Sequence, residues 1–170
     1  FSKEAVLKSA EALFYFGLGL PAFALIKVFS SFFFANKNTK TPFYISLTSV
    51  LLNIFISLYY FKSVGFIIIP IATTISSWFN SIILFAFLRL KDLFQFNDEF
   101  LTSLIKIIFV SILMGLFFEY LISSLENYLG YDYGYKSFYL IISVILALVF
   151  YLLASFFIKA FKFKDINLKY

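Results

Sequence analysis

No cysteine and no histidine occurs among the 170 residues, and only nine are acidic. Without cysteine there is no disulfide framework and no thiolate metal site. Without histidine the commonest general base and transition-metal ligand are missing. The carboxylates sit at the ends of apolar runs and in loops, so no buried acid–base pair, nucleophile–base constellation or metal-ligand spacing marks an enzyme. A Gly-x-x-x-x-Gly-Lys-Ser/Thr run is also absent, which leaves ATP hydrolysis without support in this chain.

Charge is scarce as well: 14% of residues are charged and 62% hydrophobic, against roughly 25% and 45–50% in a soluble domain. That composition reads as an all-α polytopic membrane protein. The length accommodates about five spans of some 20 residues and leaves too little polar sequence for a soluble domain. The net charge of +5 reads as topology determinants and not as a nucleic-acid surface, because no basic face stands clear of apolar sequence. The opening Phe1-Ser2-Lys3-Glu4-Ala5 has no basic segment leading into a short apolar core with a cleavage site. It reads as a membrane-domain fragment covering residues 1–170, not as a signal peptide.

The spans are expected at residues 9–35, 43–61, 66–88, 100–122 and 137–158. The first follows an amphipathic lead-in with Lys3, Glu4, Lys8 and Glu11, and it carries Gly17, Gly19, Pro21 and Lys27. A proline inside a helix removes a backbone hydrogen bond, and in lipid the freed carbonyl must find another partner. Lys27 lies about eight residues before the helix leaves the lipid, which puts its Cα roughly 12 Å inside the boundary. At that depth an ammonium group either snorkels to the interface or faces a wet or paired interior, and this makes Lys27 a candidate substrate-binding residue.

Asn36-Lys37-Asn38 ends the first span. Thr41 is expected as the N-cap of the second, with Pro42 at its first helical position. Asn53, near the middle of that span, should hydrogen-bond to a neighbouring helix. Lys62-Ser63-Val64-Gly65 is short enough only for a tight reversal, so spans two and three should be adjacent and antiparallel. The third span contains Pro70, and its Ala72, Ser76 and Asn80 form a small, polar stripe at four-residue spacing. The stripe serves either a close helix contact or the lining of a cavity.

A mixed-charge connector runs from Arg89 to Glu99. The fourth span places Lys106 near one end and Glu119 near the other, each able to snorkel. Residues 124–136, with Tyr128, Tyr131, Tyr133 and Tyr135, have the aromatics of a membrane surface. The fifth span has no charge, and residues 159–170 carry Lys159, Lys162, Lys164 and Lys169 against Asp165. With alternating spans, Lys37, Lys40, Arg89, Lys91 and these four lysines share one side, facing only Lys3, Lys8, Lys62 and Lys136 on the other. The positive-inside bias then puts the C-terminus in the cytoplasm.

The runs Ala10-Glu11-Ala12-Leu13, Gly19-Leu20-Pro21-Ala22-Phe23, Lys27-Val28, Phe34-Ala35 and Asn38-Thr39-Lys40-Thr41-Pro42 resemble the C-terminal half of the MurJ (MviN) family of lipid II flippases. Phe1-Ser2 resembles the end of the loop that precedes this helix in the family. The likeness is dense over residues 1–45, and beyond them it rests on helix lengths and loop order. It implies the last five helices of a fourteen-helix multidrug/oligosaccharidyl-lipid/polysaccharide exporter fold, with a cytoplasmic C-terminus in the bacterial inner membrane.

The implied function is transport of the lipid-linked peptidoglycan precursor from the cytoplasmic to the periplasmic leaflet by alternating access, in the service of cell-wall biogenesis and cell shape. Implied partners are that precursor, membrane lipids and the remaining N-terminal helices of the same protein; no cofactor and no nucleic acid is implied. The matched motif residues are Gly19, Pro21, Lys27, Thr39, Lys40, Thr41 and Pro42, and spans four and five are implied to form a groove for the polyprenyl tail. A related exporter of polysaccharide-lipid units or drugs, and a non-transporting membrane scaffold, stay open. Nine upstream spans with arginines in the first, second and eighth would favour the flippase.

Overall fold

Hydrocarbon offers no partner to a bare peptide group, so long apolar runs satisfy their backbone internally as helices. The computed structural model describes residues 3–93, 98–130 and 134–159, with the side chains of Lys3 and of residues 98–100 outside that description. Helix α1 spans Lys3–Ala35, α2 Lys40–Val64, and a 3-10 turn Gly65–Ile67 leads into α3, Ile68–Leu90. Then come α4, Asp98–Ser124, the single-turn α5, Glu126–Leu129, and α6, Lys136–Phe157. Four helical stretches are long and apolar enough to cross a membrane: Glu4–Ala35, Lys40–Leu90, Leu101–Ser124 and Lys136–Phe157. The 51-residue Lys40–Leu90 stretch contains both α2 and α3. The chain is an all-α polytopic membrane segment, in two compact units divided between Gln95 and Phe96.

In the first unit α3 packs along both α1 and α2, which barely touch each other. Its buried face is a complete four-residue repeat: Ile68, Ala72, Ser76, Asn80, Leu84 and Leu88. The small and polar members lie in the middle, where they let backbones approach, since in lipid helix association rests on packing and hydrogen bonds. The large members lie at the ends. Leu84 and Leu88 meet Phe29, Phe33 and Ile45 in the main apolar cluster, where the Phe29 and Phe85 rings stand 5.5 Å apart.

Helix ends differ from expectation in two places. The cap of α2 is supplied by Asn38 and not by Thr41. Asn38 Oδ1 accepts the Thr41 backbone N–H at 3.2 Å, and its Nδ2 donates to Thr41 Oγ1 at 2.9 Å. An Asn side chain that reaches both groups starts the helix earlier, so Thr39 precedes the first helical residue, Lys40, and Pro42 sits buried within the first turn. At the other end, Lys62, Ser63 and Val64 complete the last turn of α2, and Gly65 alone makes the reversal at φ 75°. Pro70 falls in the first turn of α3, where a missing N–H costs least.

Three described helices end on a left-handed residue that is not glycine: α1 at Lys37, α3 at Asp92 and α6 at Lys159 (φ 51°). Two of them show the full pair of closing bonds among the described residues. After α1, Lys37 (φ 55°) donates to Phe34 O and Asn38 to Phe33 O; after α3, Asp92 (φ 52°) donates to Arg89 O and Leu93 to Leu88 O. Each pair is a Schellman motif, which recovers carbonyls the helix end would leave bare.

In the second unit α4 packs along α6, with the Phe117 and Phe150 rings stacked at 4.4 Å. Tyr128 of α5 stacks on Tyr139 at 4.9 Å. Lys106 is half-buried and Glu119 exposed. The Phe1-Ser2 pair, Asn97, Tyr131, Asp132, Tyr133, Lys162, Lys164, Asp165 and Lys169 lie outside the described residues.

Candidate functional site

Pro21 cannot donate to the carbonyl of Gly17, four residues before it. Across the helix contact, α3 donates to the carbonyls on either side of that position. Thr74 Oγ1 bonds Tyr15 O at 2.6 Å, and Trp78 Nε1 bonds Leu18 O at 3.0 Å. Side chains of α3 thus bond the stretch of α1 that precedes Pro21, within a helix that stays continuous. Gly19 makes the approach possible: a Cβ there would lie 3.0 Å from Thr74 Oγ1 and 3.5 Å from Thr74 Cα. Pro21 itself is exposed.

On the adjacent face of α3, polar groups converge. Asn53 Nδ2 of α2 donates to Thr73 Oγ1 at 3.2 Å and Ser76 Oγ at 3.3 Å, the cross-helix bond expected of that amide. One turn along, Asn80 Nδ2 donates to Ser46 Oγ at 3.3 Å. Between these contacts lies a cavity of about 260 Å³, also bounded by Phe23, Ile26, Ser49, Val50 and Ser77. The stripe Ala72, Ser76, Asn80 was expected to serve either a close contact or a cavity, and its members differ. Ala72 closes a tight contact while Ser76 and Asn80 line a cavity.

Lys27 is not part of this cavity. It is exposed on α1, and among the described residues it has no hydrogen bond or ion pair. Thr39, Lys40, Thr41 and Pro42 cluster at the start of α2, Pro70 at the start of α3, and neither group reaches the Asn53–Asn80 cavity. The residues missed from sequence are Thr73, Thr74, Trp78 and Ser46. Thr74 and Trp78 repeat at four-residue spacing, a second stripe on the α1 side of α3, and that spacing was the available signal. A further cavity of about 420 Å³ lies at the other end of the unit, bounded by Lys8, Glu11, Tyr15 and Val64 to Ile67. Lys8 Nζ there pairs with Glu4 Oε1 at 2.7 Å.

The family described as Lipid II flippase MurJ matches residues 1–144. A protein named probable lipid II flippase MurJ from Rickettsia prowazekii (strain Madrid E) is 30% identical over 168 residues, 98% of this chain and 32% of that protein. One of the same name from Rhizobium meliloti (strain 1021) is 33% identical over 115 residues, 68% of this chain and 22% of that protein. Another from Thermotoga maritima is 31% identical over 130 residues, 76% of this chain and 26% of that protein. The chain spans about a third or less of the length of these relatives.

Proposed function

The chain belongs to the lipid II flippase MurJ family, and we propose that it is part of a transporter moving the lipid-linked peptidoglycan precursor from the cytoplasmic to the periplasmic leaflet. The observation that carries this reading is the family match over residues 1–144. Beside it stands the geometry of α1, a continuous helix whose proline-bearing stretch is bonded by side chains of α3. Helices α1, α2, α3, α4 and α6 each cross the bacterial inner membrane as one membrane domain, with the C-terminus cytoplasmic as the basic-residue bias requires.

The partners are the precursor, membrane lipids and the remaining helices of the same protein. Lys27, the deep cation of α1, contacts the anionic part of the precursor. The uncharged α6, with α4, accommodates the polyprenyl tail, which needs only an apolar surface. Complementation of a flippase-depleted bacterium by the full-length protein that carries this segment tests the function. Restored growth is expected. No growth at normal membrane abundance would overturn the reading.

A further inference from the structure

Helix α1 is longer than a membrane requires. Its 33 residues rise about 50 Å, against a hydrocarbon core of roughly 30 Å that about 20 residues cross. Counted back from Ala35, the boundary falls near Tyr15, and Glu11, four residues further out, stands about 6 Å into the headgroup layer. At that level the α2–α3 reversal runs beside α1 and leaves the cavity of about 420 Å³. Its two sides differ in chemistry. Helix α1 contributes Lys8, Glu11 and Tyr15, whereas the reversal and the start of α3 contribute Phe66, Ile67 and Ile71.

Charge in this cavity is not balanced. Lys8 Nζ is engaged by Glu4 Oε1 at 2.7 Å. Glu11, the other ionic residue of the wall, has no hydrogen bond or ion pair among the described residues, and Lys62, in the last turn of α2, does not bound the cavity. We propose that the cavity binds a membrane lipid whose headgroup ends in a primary ammonium, as in phosphatidylethanolamine, with the ammonium donating hydrogen bonds to the Glu11 carboxylate. Glu4, Lys8 and Glu11 together carry one net negative charge, which disfavours an anionic headgroup. A divalent metal ion takes six or more oxygen ligands and would find one carboxylate. A choline headgroup brings a cation without an N–H, so it forgoes the charge-assisted bond. Tyr15 and Phe66 add aromatic side chains, which attract ammonium groups. The apolar side selects a lipid over a soluble amine: Phe66, Ile67 and Ile71 lie at headgroup level, where the glycerol and first acyl carbons of a lipid cover them while its amine reaches Glu11. The inference requires only that the first unit lies in a membrane, and it holds whatever the protein transports.

The test titrates the full-length protein that carries this segment with phosphatidylethanolamine, phosphatidylcholine and phosphatidylglycerol of identical acyl chains, and counts bound lipid by native mass spectrometry. The wild type is expected to bind one phosphatidylethanolamine several-fold more tightly than either of the others. Glu11 is exposed, so Glu11→Gln keeps the size of the side chain at no cost in packing. It should lower phosphatidylethanolamine affinity to that of phosphatidylcholine, while Glu11→Asp, which keeps the charge, should retain part of the preference. Equal binding of the three lipids by the wild type, or a preference for phosphatidylglycerol, overturns the proposal whether or not the variants fold. A phosphatidylethanolamine preference that survives Glu11→Gln belongs to another surface and overturns it for this cavity. Displacement of the bound lipid by free ethanolamine at equal concentration means that the amine alone is recognised, and overturns the assignment to a lipid.

Discussion

A methyl group placed on Gly19 would stand 3.0 Å from the hydroxyl of Thr74, the same hydroxyl that bonds Tyr15 O at 2.6 Å. The two residues lie on different helices, where α1 packs on α3. Gly19→Ala makes Thr74 give by a few tenths of an ångström and stretches its bond to Tyr15 O, an overpacking defect expected to cost about 1–3 kcal/mol. Gly17→Ala meets nothing within 4 Å and gains about 1 kcal/mol of helix propensity. Denaturant unfolding of the two variants in detergent should therefore shift in opposite directions. Equal shifts would show that α1 and α3 do not pack through Gly19.

Thr74→Val keeps the shape of the residue and removes the donor to Tyr15 O. The expected loss is about 0.6 kcal/mol, the mean for such bonds in membranes. Thr74→Ser should recover most of it. A Val variant as stable as wild type would mean that the Tyr15 carbonyl needs no second donor.

Lys37 and Asp92 hold φ values of 55° and 52°, in a region where a Cβ is crowded by the following carbonyl. Replacing either by glycine relieves about 1 kcal/mol of that strain. Lys37→Gly and Asp92→Gly should each raise the unfolding midpoint, and the gains should add because the motifs are separate. Asn38→Ala moves the other way, by about 1 kcal/mol, since it removes the cap of α2.

Topology is decided by single cysteines in an otherwise cysteine-free chain. Ser63 and Asn36 are exposed at opposite ends of the first unit, and neither caps a helix N-terminus. With the C-terminus in the cytoplasm, an impermeant thiol reagent added from the periplasm labels Ser63→Cys and spares Asn36→Cys. The reverse pattern would invert the orientation drawn from the lysine and arginine bias.

For Lys27 the expected outcome follows from its position on the exposed face of α1. If it meets an anionic group of the precursor, Lys27→Gln impairs complementation at normal abundance, and Lys27→Arg keeps part of the activity because the charge stays while its geometry changes. Normal growth supported by Lys27→Gln would remove this residue from the transport pathway and leave it a snorkelling lysine.

The sequence by itself determined that this chain is helical and lies in a membrane, because long uncharged runs admit no other satisfied backbone. It also carried the family likeness over its first 45 residues, and it marked Asn53 as an amide in need of a partner. Only the tertiary structure decided which partners were met. Thr74 and Trp78 reach across to the turn around Pro21, Thr73 and Ser76 receive Asn53, and Asn38 caps α2 ahead of Thr41. Periodicity places residues on a helix face, but it does not say which neighbour that face meets or how closely. The polar residues of α3 divide between α1 and α2 because α3 lies between them, and that arrangement is a property of three helices packed together, absent from any one of them read alone.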